Sequence, residues 1–200
     1  MNMSRSSSNL FLARMKRALY FSDDRAAEIV ELATSLPVLV LFVVGIFDFT
    51  NAITLKQKLT NAAREGARVA AADPASDLTN PTAPSGFPAS VTDAVYVVDR
   101  YLIAEKVNDC GLNSQPLASS GLTWTATATG TGCTGAGLVL TINRGCTSAA
   151  AAGTSGGDIV NTCVTIQYPY TWQFSGASGL FGSFGLPTSI TTTATVYNEN

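Results

Sequence analysis

Three carboxylates border or interrupt a stretch otherwise fit for lipid. "RAAEIVELATSLPVLVLFVVGIFDFTNAI", Arg25 to Ile53, carries Glu28 and Glu31 at its entrance and Asp48 inside it. A charged side chain near a bilayer centre costs about 2.5 to 3.5 kcal/mol on insertion scales, so an acid placed there calls for a named partner. Glu28 stands at the more hydrated edge. Glu31 is followed by the acid-free run Leu32 to Phe47, so it is drawn under as the helix enters the bilayer. Asp48, near the outer end, is expected to reach the interface or to stand opposite Lys56 or another chain.

The second set with chemistry is Cys110, Cys133, Cys146 and Cys163. An even count predicts disulfides in an oxidising compartment, and four cysteines permit three pairings. Zinc is the alternative, but the chain has no C-x-x-C and no histidine, so no metal or other cofactor is expected. Enzymatic chemistry is not expected either. The commonest general base is missing, and "GTSGG" around Ser155 is a low-complexity turn rather than a nucleophile elbow. The acids Asp93, Asp99, Glu105 and Asp158 show no spacing that proposes a pair. "GASGLFGSFG" lacks the lysine and strand-to-helix context of a phosphate cradle. Its Leu180, Phe181 and Phe184 have two readings, a small core folded back onto a sheet or an apolar contact patch for a neighbouring protein.

The elements that must position these residues follow from charge and periodicity. The net charge of -2 hides a split: residues 1–72 carry nine Lys/Arg against six Asp/Glu, residues 73–200 three against eight. That is no nucleic-acid footprint, which would need clustered cations on a folded face. It is the asymmetry of a membrane protein. With Asp48 allowed, the apolar stretch reaches about the 20 residues a helix needs to cross the hydrocarbon. Arg5, Arg14, Lys16, Arg17 and Arg25 precede it, which predicts a cytoplasmic N-terminus and an exported C-terminal domain. A cleaved secretory signal fits poorly, because the charged leader is long and the apolar run continues into helical "LKQKLTNAAREGARVAA".

Residues 1–26 read as a basic, Ser-rich cytoplasmic leader, and 27–72 as one helix, membrane-spanning in its first half, with Pro37 expected to kink it. Its second half pairs a narrow small-residue stripe with Lys56, Lys58, Arg64 and Arg68, a solvated face that could also touch acidic headgroups. Residues 73–89 form a Pro-rich linker. In 90–200, Ser90 with Asp93 suggests a capping box opening an amphipathic helix to about Val107. Thr-rich alternation then predicts strands at 122–130, 137–143, 162–170 and 190–198. The fold class is α+β: a long N-terminal transmembrane helix, then a small exported domain with one helix on an antiparallel sheet.

The run from Arg25 to Ala72 resembles the TadE-like family of pilin-related proteins, minor pseudopilins of Tad (Flp) pilus systems. The resemblance is carried by "VEL" before a Pro-containing apolar run, "GIFDF" near its end and "LTNAAREGAR" after it; "VTIQYPY" (164–170) and the Thr-rich last strand are similar to the family's weaker C-terminal pattern. It implies a single-pass protein of the bacterial inner membrane, cut on the cytoplasmic side by a prepilin peptidase. Carried onto this sequence, Glu31 is the fifth mature residue, Ala27 the first and Ala26 the residue before the cut. The departures are Ala26, where pilin-type peptidases prefer Gly, and Leu32, where an aromatic is usual. The resemblance also implies a partner for Glu31, the amino group of an adjacent subunit. The implied role is assembly or priming of the pilus or a related secretion apparatus, among other pilin-like subunits, the assembly machinery and membrane lipid. The rival reading is a membrane-tethered extracytoplasmic binding or adhesion domain.

Overall fold

The computed structural model describes residues 24–78, 86–133, 135–148, 159–173 and 187–198. They fall into two compact units, residues 1–47 and 48–200. Helix α1, Asp24–Ala72, contributes to both and runs unbroken through Pro37. In the first unit its apolar side chains are open: Ile29, Leu36, Leu39, Phe42 and Phe47 are all more than half exposed. It is the one helix among the described residues long and apolar enough to cross a membrane.

The second unit is a helix-on-sheet sandwich. Strands β1 (Leu117–Ser120), β2 (Thr123–Ala128), β3 (Leu138–Ser148), β4 (Ile159–Pro169) and β5 (Ser189–Tyr197) pair antiparallel in chain order, each with the next. Four match the expected strands, the third and fourth extending further. The four-residue β1 was not anticipated, because "LASS" has no alternation to announce it. Side chains alternate across the strands as the pleat demands. Trp124, Ala126, Leu138, Leu140, Ile142, Val164, Ile166 and Ala194 face inward against Leu59, Ala62, Ala63, Ala67 and Ala70 of α1 and against α2, Ala89–Ala104.

The small-residue stripe of α1 is thus the floor of the core. A Cβ at Gly66 would stand 2.6 Å from Val98 Cγ2 on α2, so glycine there sets how closely the two helices approach. α2 ends a turn sooner than expected, and it begins without the Ser90 capping box. Pro88 occupies the N-cap with no side-chain cap bond, and Ser90 lies buried inside the helix. The cap arrives from elsewhere. Asp77, in a short 3-10 helix (Ala75–Leu78) within the expected linker, accepts the Ser90 backbone N–H at 2.9 Å. A carboxylate at a helix N-terminus also complements the helix dipole.

Candidate functional site

The residues singled out by the sequence lie at separate stations along α1. Ala26–Ala27, the implied cleavage point, falls in its first turn. Glu28 and Glu31 are exposed in the first unit, and no ion pair of Glu31 exists among the described side chains. The hydroxyls beside Glu31 are satisfied within the helix: Thr34 Oγ1 donates to the Glu31 carbonyl at 2.9 Å and Ser35 Oγ to the Leu32 carbonyl at 3.2 Å. The Glu31 carboxylate is thus exposed beside hydroxyls that are already bonded within the helix.

Asp48 behaves differently. It is buried, at 3% exposure, as the first residue of the second unit. The Tyr170 hydroxyl, just beyond β4, donates to its carboxylate at 3.0 Å and to its carbonyl at 3.2 Å. Burial, and then the bonded carboxylate, push the Tyr170 phenol up to about 12, so it stays a donor at any physiological pH. Trp172 packs edge-on against Tyr170, ring centroids 5.0 Å apart, and its Nε1 donates to the Pro187 carbonyl at 2.7 Å. The intramembrane acid of the sequence reading thus has a tyrosine as partner within its own chain. The two residues are 122 positions apart, and nothing local announces the pairing.

At the other end of the core, Arg144 on β3 is 1% exposed and donates through Nη2 to the carbonyl of Asp73, just past the end of α1, at 3.0 Å. α1 has no basic residue in its last turn, so a neighbouring strand supplies the cation its dipole favours there. Burial lowers the affinity of Arg144 for its proton, and the charges of Asp77 and Asp73 oppose that. Asp73 is in turn pushed up by burial and by Asp93 and Asp77. A second buried acid, Asp99 on α2, is raised by burial first and then by a hydrogen bond shared with Asp109. Arg144 was missed, although alternation could have found it: it continues the inward series Leu138, Leu140, Ile142.

The cysteines close two bonds, Cys110–Cys133 and Cys146–Cys163. The first ties the loop after α2 to the β2–β3 turn. The second bridges β3 and β4 beyond a bulge between Asn143 and Cys146. Among the described residues no cluster of three His, Cys, Asp or Glu could hold a metal ion. Leu180, Phe181 and Phe184 lie outside the described residues.

The outward face of the sheet is a lattice of hydroxyls. Thr125, Thr141, Thr165 and Thr193 stand in register across β2 to β5, with Oγ–Oγ distances of 3.5 Å for Thr125–Thr141 and 2.9 Å for Thr165–Thr193. The flanking rungs are Thr123, Asn143, Cys163 and Thr195, and Thr127, Val139, Gln167 and Thr191. None of these residues is charged.

No curated protein and no solved structure matches the chain. Residues 27–68 match the family described as TadE-like protein. That segment begins at the implied mature terminus, contains Glu31 and Asp48, and ends in the packed stripe around Gly66. The match covers roughly one-fifth of the chain, the helix that carries the candidate residues, and is a similarity over that helix.

Proposed function

We propose that this chain is a pilin-like subunit, not an enzyme, that acts in assembly or priming of a Tad-type pilus. In this reading it crosses the inner membrane once, N-terminus inside and residues 90–200 outside. Its partners are other pilin-like subunits and the assembly machinery, with prepilin peptidase acting at Ala26–Ala27. The observation that carries the reading is the TadE-like match over α1, within which Glu31 stands exposed among apolar side chains that are open among the described residues. An acid so placed gains if a neighbour's amino group meets it, and the pairing would set the stagger between adjacent helices.

The test separates insertion from assembly. Glu31→Ala should insert at least as well as the parent, since losing the charge lowers the cost of entering lipid. It should accumulate as an oriented, disulfide-bonded membrane protein while piliation of a strain lacking its own copy falls, and Glu28→Ala should do much less. A second reading, a membrane-tethered binding domain, is favoured by the uncharged threonine rungs, whose β-branched side chains hold their hydroxyls in fixed rotamers. Normal piliation with Glu31→Ala would put that reading first.

A further inference from the structure

A cleft of about 300 Å³ opens in the second unit between α1 and the loop after α2, lined by Asn51, Thr54, Lys58, Lys106, Asn108 and Tyr168 among others. Its lining holds two lysines and no acid. Lys58 Nζ donates to the Glu105 carbonyl at 2.7 Å and lies 3.5 Å from the Glu105 carboxylate, whereas Lys106 has no acidic partner among the described residues. The Asn108 amide is committed, donating to the Thr131 carbonyl and accepting from the Cys110 N–H. Asn51, Thr54 and Tyr168 make no side-chain hydrogen bond among the described residues and remain as donors. The nearest other acid, Asp109, bears on the Tyr168 hydroxyl through its charge, while its carboxylate accepts the Gly111 N–H at 3.1 Å.

The place of the cleft along α1 says what should fill it. The exposed apolar side chains of α1 run on through Phe49 to Ile53, so Asn51 lies within the end of that run and Thr54 and Lys58 come one and five residues after it, about 1.5 and 7.5 Å of helix rise. The headgroup layer of a bilayer is about 5 to 7 Å deep on each side. At its inner margin sit Asp48 with Tyr170 and Trp172, the residue types that gather where hydrocarbon meets water. Lys58 stands ten residues, nearly three turns, further along α1, with Lys106 on the cleft's other wall, and lysine stems can extend toward a membrane. We propose that this cleft binds a phosphate-bearing anion, the headgroup of an acidic phospholipid, with Lys58 and Lys106 supplying the charge and Asn51, Thr54 and Tyr168 the neutral donors. The inference needs α1 to cross a membrane but does not need a pilus, so its failure would leave the assembly reading standing.

The full chain, purified in neutral detergent, is titrated with phosphatidylglycerol, phosphatidylcholine, glycerol phosphate and inorganic phosphate, and adducts are counted by native mass spectrometry. Phosphatidylglycerol should bind best, and Lys106→Ala and Lys58→Ala should each weaken it about fivefold. Lys106→Arg and Lys56→Ala, the latter outside the cleft, should bind as the parent does. Because Lys58 also holds Glu105, Lys106→Ala is the deciding variant, scored only with both disulfides formed and melting unchanged. Phosphatidylcholine binding as well as phosphatidylglycerol, or an unweakened Lys106→Ala, overturns the site. Free phosphate or glycerol phosphate binding as tightly, with the same lysine dependence, overturns the lipid as occupant.

Discussion

In the first half of α1, Leu36, Leu39, Phe42 and Phe47 are 52 to 68% exposed, while in the second half Ala62, Ala63, Ala67 and Ala70 are wholly buried. The larger apolar residues are outside and the smallest inside, the reverse of what water would select. Burying a Leu or Phe is worth about 1.5 to 3 kcal/mol, so the first half forgoes that gain many times over unless lipid is its solvent. The second half obeys a different demand. Alanine and glycine add little burial energy each, but they let α2 and the sheet close on the helix at short range. One helix thus carries two solvents' worth of rules, and the change falls near Asp48.

Its two internal glycines test that contrast most sharply. Gly66→Leu forces a side chain into the α1–α2 contact and should cost at least about 2 kcal/mol, seen as a lower melting temperature of the full chain in detergent. At Gly45 a Cβ meets nothing within 4 Å, so Gly45→Leu should leave melting within about 0.5 kcal/mol of the parent. Equal losses at the two positions would break the contrast.

A smaller effect is expected at the change-over itself. Tyr170→Phe removes one donor from the buried Asp48 carboxylate and should cost about 1 to 2 kcal/mol. It should also alter the alkaline limb. The folded phenol titrates near 12, above the unfolded value of about 10, so its contribution is complete below pH 10 and is lost as the pH rises toward 12. Melting followed from pH 9 to 12 should show a steeper decline in the parent than in Tyr170→Phe. Parallel curves would mean that the bond does not hold the change-over.

The smallest effect lies deep in the second half's packing partner, α2. Asp99 has a raised folded pKa, so its contribution is complete below the unfolded value of about 3.9 and is lost as the pH rises through the folded one. Asp99→Asn keeps a hydrogen-bonding group beside Asp109 without that loss. It should be as stable as the parent at pH 4 and more stable at pH 7, by up to about 1 kcal/mol. A variant less stable at pH 7 would show that Asp99 serves the core as a charge.

The sequence announced those features whose cause is local. The apolar run and the three- and four-residue spacing after it mark α1, and Thr alternation marks four strands, because both patterns repeat within a few residues. What it concealed is held together across distance. Asp77 caps a helix beginning a dozen residues later, Arg144 meets the end of α1 from a strand 71 residues on, and Asp48 waits for Tyr170. The capping box at Ser90 misled because a Ser-x-x-Asp spacing says nothing of whether the serine stands at the N-cap or two positions past it, as here. Glu31 could be found because a charge in an apolar run is conspicuous without any fold.

The disulfides carry one more consequence, about order in time. Cys110 pairs with Cys133 and Cys146 with Cys163, so each bond joins neighbours in the succession of cysteines, separated by 23 and 17 positions, and the two loops do not overlap. In the topology proposed above, a chain threaded outward from its N-terminal end would present each bond's two thiols before the next pair arrives. Either wrong connectivity would require Cys110 to pass over the first thiol that follows it. First-come oxidation of a chain emerging in that order would therefore lead to the native bonds, with no reshuffling step required by their succession.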